Sequence, residues 1–509
     1  MNAIHALSSR FARDGTDRRI ETELHVGKVM SRLVMHTGEP TTDIVCAMQI
    51  TTMCVRGYRG FVPHDTLMCA VANFVLQLGW HRLDDDKDAP PPKTWDEWVD
   101  LETKRRAFWM NFQMDSYHVG RSGGAAIFDA EAVRTRMPCP ESEWDDLSSW
   151  INRAHAHSVF ANMNGRDSDS EDGGNSGVST REALRYRCWT DPASIPAAGS
   201  SEESARIVTE QATPSARFDA MQETMLQSFW HRTPHCNLVK KIGKFISGAR
   251  SSSVNSGSDC KPPRRPRLLS DDPMFSEYSQ QLDYMCTLPP AAANLKDPLF
   301  NASKASFFGN IEHKKYLLRV RYFSQQLYTF PAVIMLHSSN RPSLFTETDT
   351  GLSSVLLDEE EIKISMALQK ALGPAWSQGL VAKDIEPRSW RVCVDAAHRL
   401  SDVLRLNDDI SLRRVDTVAP FCIFSTITVL LRQLRKCKHA MDSNDMSEMP
   451  IEEWKNEHTR SLAGIARQWR ALQEMGSVWH IGGLAELLKP MHIDEVAKAA
   501  EQLSSMSLK

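Results

Sequence analysis

Asp84, Asp85 and Asp88 spell Asp-Asp-x-x-Asp, and Asn407, Asp408 and Ser411 spell Asn-Asp-x-x-Ser. Hard oxygen ligands at such spacing hold magnesium ions, and two sets facing one diphosphate would assist its ionisation. Three features oppose that chemistry. Val415 stands where the second motif needs its last carboxylate, the motifs lie over three hundred residues apart, and the first falls between Gly79 and a proline run. A solvated acidic loop is the simpler reading of Asp84–Asp88. His231 and His235 have the i, i+4 spacing of a helical ligand pair with Cys236 adjacent, but Pro234 interrupts that helix and no HExxH carboxylate accompanies them. His155 and His157 point to different helix faces. Both pairs read as ordinary surface or half-buried histidines. Gly120–Gly124 lacks the Gly-Lys-Ser/Thr of a phosphate loop, and no Gly-x-Ser-x-Gly elbow occurs. No catalytic, metal-ligating or DNA-contacting residue is therefore expected.

With 509 residues the chain exceeds the usual single-domain size, so one large helical body or two subdomains is expected. A net charge of −4 gives no global attraction to nucleic acid, whose phosphates demand a basic face. Eleven cysteines without paired spacing read as reduced thiols, which favours cytosol or nucleus over an oxidising compartment. The N-terminal stretch lacks an apolar run of signal-peptide length. The longest apolar stretch, Val418 to Leu431, is interrupted by Pro420, Ser425, Thr426 and Thr428 and is too short to span a bilayer. It suits a buried helix.

The elements that must position any site are helical. Thr41 or Thr42 caps a helix carrying Ile44, Val45, Met48 and Val55, and Gly57 ends it. Pro63 opens a second, with Leu67, Val71, Phe74 and Leu78 on one face and Gly79 as its stop. A third covers Trp95 to His118, after the proline run. From 164 to 214 the composition shifts to Ser, Gly, Asp and Glu, too polar to order itself. A helical segment at 215–246, broken at Pro234, separates it from a basic, Pro-rich linker at 247–272. In that linker Lys261, Arg264, Arg265 and Arg267 could serve as a nuclear import signal or simply keep the chain extended. Helical periodicity resumes over 273–509. Tyr316, Val320, Phe323, Leu327, Phe330 and Ile334 recur at alternating four and three, with Pro331 expected to kink the end. Further helices are expected at Glu359–Leu372, Trp390–Leu406, Val415–Lys436, Ile451–Met475 and Ile493–Ser504. The fold class is all-α, a large multi-helix bundle or helical-hairpin array with two disordered insertions.

On the third helix Leu101, Phe108 and Phe112 share one face with Trp109 beside them, and Arg105 and Asp115 lie within it. A charge inside an apolar stripe is costly unless paired. Arg105 should therefore reach a carboxylate or helix-end carbonyls on a neighbouring element.

The order of these blocks resembles the middle homology region of fungal transcription factors of the binuclear zinc cluster family. The matching residues are Leu78, Gly79, His81 and Arg82; then Glu102, Arg105, Arg106, Phe108, Trp109 and Asp115; then Gly120 and Arg121; then Pro140, Glu141 and Trp144. Ser122 replaces the usual Pro and Trp80 the usual Leu. A softer likeness continues at Leu336–Phe345 and at the helix beginning Val418. The resemblance makes 1–160 and 273–509 the two parts of one regulatory region, and Glu102, Arg105, Arg106, Phe108, Trp109, Asp115, Gly120 and Arg121 its structural motif. It implies a nuclear transcriptional regulator, of a kind often used for secondary-metabolite gene clusters, with other transcription regulators or a homodimer as partners and no membrane. The family's six-cysteine, two-zinc module has no counterpart here, since Cys46 and Cys54 lie eight positions apart and the rest are scattered. Either such a module precedes this sequence or DNA is reached indirectly, and no zinc or other cofactor is expected in the chain. Two other classes compete: a helical co-regulator or scaffold that heterodimerises, and, from the aspartate motifs, a class I terpene synthase-like enzyme.

Overall fold

The computed structural model describes residues 1–10, 18–34, 39–55, 64–85, 92, 94–122, 124–139, 228–255, 268–287, 311–341, 384–407, 412, 418–444 and 449–479. These residues are all-α, with eleven α-helices and two one-turn 3-10 segments and no strand among them. In chain order the helices are α1 (Asn2–Ser9), α2 (Arg18–Val34), α3 (Thr42–Val55), α4 (His64–Gln77), α5 (Trp95–Ser122), α6 (Ser228–Asn255), α7 (Pro273–Thr287), α8 (Ile311–Ser338), α9 (Pro387–Leu406), α10 (Ala419–Ser443) and α11 (Ile451–Trp479). No helix among them is long and apolar enough to cross a membrane.

Local sequence explains several helix ends. The Thr41 hydroxyl accepts from the Ile44 amide at 3.4 Å, so Thr41 rather than Thr42 caps α3. Thr94 and Glu97 cap α5 reciprocally, each side-chain oxygen accepting the other's backbone N–H at 3.2 and 3.4 Å. Gly79 stops α4 at φ +69°, in the left-handed region that costs glycine little.

Packing produces two apolar clusters. The first joins α1 to α5 through Ala6, Val26, Val45, Met48, Leu67, Val71, Val75, Trp80, Phe108 and Phe112. The second is built on α6 to α11, and Tyr117 of α5 belongs to it. A single helix thus contributes its middle turns to one cluster and Tyr117, further along, to the other. In the second cluster α10 is buried on most faces, as its apolar stretch requires. Its polar groups are satisfied internally. Gln468 of α11, fully buried, accepts from Thr426 at 2.8 Å and donates to the Ala397 carbonyl and the Ser401 hydroxyl at 2.9 and 2.8 Å.

One local expectation fails. Pro234 does not break the 215–246 segment: α6 runs from Ser228 through Pro234 to Asn255, nine residues past 246. Cys236, Leu238, Val239, Ile242 and Ile246 are buried along it, and that burial outweighs the hydrogen bond a proline removes. Helix α8 also contains a proline, Pro331, seven residues before its end at Ser338. The segment 164–214 and the expected helices at 359–372 and 493–504 lie outside the described residues.

Candidate functional site

The first half of α5 carries a clasp. Two turns of helix bring Glu102, Arg105, Arg106 and Trp109 to one side, where the loop after α4 and the non-helical segment 134–139 run past them. Arg105 Nε donates to Asp84 Oδ2 at 3.0 Å, a second guanidinium nitrogen donates to Asp84 Oδ1, and Nη1 reaches Glu102 at 3.4 Å. The Arg105 side chain is 13% exposed, Asp84 8% and Glu102 1%. Glu102 also accepts the Cys139 amide at 2.6 Å and meets Arg106 at 3.4 Å. Burial raises the Glu102 carboxyl from its ordinary value, against the pull of Arg105 and the Cys139 amide. Asp84 accepts the Arg136 amide at 2.8 Å, the Trp109 indole donates to the Arg136 carbonyl at 2.8 Å, and Arg106 donates to the Cys139 carbonyl at 3.1 Å. Segment 134–139 is held at the other end by Thr135, which donates to the Trp80 carbonyl and accepts the Leu83 amide.

The second half of α5 carries a buried knot. Asp115, with a side chain 1% exposed, pairs with Lys240 of α6 at 3.2 Å and accepts the Ile127 and Phe128 amides at 3.1 and 3.3 Å. Lys240 also donates to the Phe128 carbonyl at 2.6 Å and sits 5.1 Å over the Phe112 ring. Burial pushes its ammonium below the ordinary lysine value, opposed by Asp115. Gln113 donates to Thr233 at 3.1 Å, and the Tyr117 hydroxyl lies 3.4 Å from His235 Nδ1. Lys240 escaped the sequence reading although Cys236, Lys240 and Gly243 fall at i, i+4, i+7. The stripe argument applied to Arg105 would have found it.

Glycines let α5 and α6 meet. A Cβ on Gly243 would lie 2.6 Å from the Gly120 Cα and 2.9 Å from its carbonyl oxygen, and one on Gly120 would lie 2.5 Å from Val239 Cγ1. Backbone cannot yield as a side chain does, so Gly243→Ala must part the helices. It is expected to cost about 1–3 kcal/mol in chemical denaturation, the range for overpacking. Gly248→Ala on the same helix, where a Cβ meets nothing within 4 Å, is the control and should be neutral or stabilising by up to ~1 kcal/mol. Equal losses for the two variants would show that the close approach is not what Gly243 provides.

Among the described residues, the remaining candidates are not brought together into a reaction site. Asp84 is committed to Arg105, and Asp85 pairs with Arg82 three positions back. Asn407 turns back to donate to the Val403 carbonyl at 2.7 Å, while Asp88, Asp408 and Ser411 lie outside the described residues. His235 is buried against Tyr117 and Tyr328, its imidazole held down near pH 3 by burial and by Arg232. Cys236 is buried beside it, with its thiol raised to about 11 by burial. Among the described residues no group of three His, Cys, Asp or Glu is placed to hold a metal. His155, His157, Pro140, Glu141, Trp144 and the basic run Lys261, Arg264, Arg265 and Arg267 lie outside the described residues, as do the side chains of Arg121 and His231. Phe108, fully buried, stacks edge-on to Trp109 and Phe128 and anchors the motif in the first cluster.

Residues 49–168 match the family model of the fungal specific transcription factor domain. The match spans the clasp and ends before Lys240, so the knot ties the matched segment to α6 outside it. The matched family is one of transcription-factor domains and not of enzymes, and it supports a fungal transcription-factor-type regulator. No curated protein and no solved structure matches the chain.

Proposed function

We propose that the chain is the regulatory region of a nuclear transcriptional regulator of the fungal zinc-cluster type, with a secondary-metabolite gene cluster as its target. It reaches DNA through partner regulators or through a separate zinc module. One observation carries the reading beyond the family match: the charged motif residues Glu102, Arg105, Arg106 and Asp115 are spent on protein partners. They build a joint between segments of the protein. A partner or effector that binds better when this joint is open than when it is closed would shift the population between the two. Because the knot joins the matched segment to the α6–α11 cluster, such a shift would change what both present to the transcription machinery.

Fusing the chain to a heterologous DNA-binding domain, upstream of a reporter in a fungal cell, tests the reading. Reporter output should change several-fold relative to the DNA-binding domain alone, and Asp115→Ala in the fusion should alter that change. A reporter indifferent to the fused chain would overturn the reading. So would magnesium-dependent turnover of a prenyl diphosphate by the purified protein, lost in Asp85→Ala.

A further inference from the structure

We draw no further inference here: the strongest candidate, the cavity of about 300 Å³ between α7, α8 and α9 that Phe330 and Val333 floor and Asp283, Arg391, Asp395 and Arg399 rim, is open only with respect to the described residues, and nothing in the structure shows what covers it.

Discussion

Asp115→Ala is expected to destabilise the protein by about 3–5 kcal/mol, the range for removing one partner of a buried ion pair. The magnitude follows from what stays behind. Lys240, with a side chain 5% exposed, would keep the Phe128 carbonyl, the Phe112 ring and the more distant charge of Asp129, and the Ile127 and Phe128 amides would lose their acceptor. Lys240→Met should cost less, because Asp115 retains both amides and the methionine stem fills most of the lysine's space. The double variant Asp115→Ala/Lys240→Met should be more stable than the sum of the two losses implies, since neither charge is then left alone. Thermal or urea unfolding of the four proteins measures this. Strict additivity would show that the two side chains do not form a coupled pair.

The sequence made the helices legible and their partners much less so. Helix positions follow from local periodicity and caps, and Thr94/Glu97, Gly79 and the Phe108/Phe112 stripe can all be read within a few residues. Partners come from the tertiary fold. Asp84, which sits in an apparent metal motif, binds Arg105 twenty-one residues later, and nothing within either segment announces that contact. Lys240 is 125 positions from Asp115 on a helix that Pro234 seemed to break. Local rules weigh a proline by the bond it removes. They cannot weigh the apolar face that α6 buries against α5 and α8, which decides the outcome. The failure at Pro234 hid the stripe on which Lys240 would have stood out.

Arg105→Ala is the second large effect, at about 3 kcal/mol, near the low end for breaking a desolvated pair. Its two carboxylate partners are nearly inaccessible, Asp84 at 8% and Glu102 at 1%, so both would lose a counter-charge that water cannot replace. The loss stays near the low end because Asp84 keeps the Arg136 amide and Glu102 keeps the Cys139 amide and Arg106. Lys104 is the control one residue away. It pairs with Asp100 at 2.5 Å across i, i+4, but Asp100 is 52% exposed. Lys104→Ala should cost only about 0.3–0.5 kcal/mol. Arg105→Lys should recover little, because an ammonium cannot make the two parallel hydrogen bonds to Asp84 that the guanidinium makes. Asp84→Ala should reproduce much of the Arg105→Ala loss, and the double variant should fall short of their sum. Equal melting shifts for Arg105→Ala and Lys104→Ala would mean that Arg105 lies on an open surface and that the motif's arginines face a ligand instead of closing a clasp.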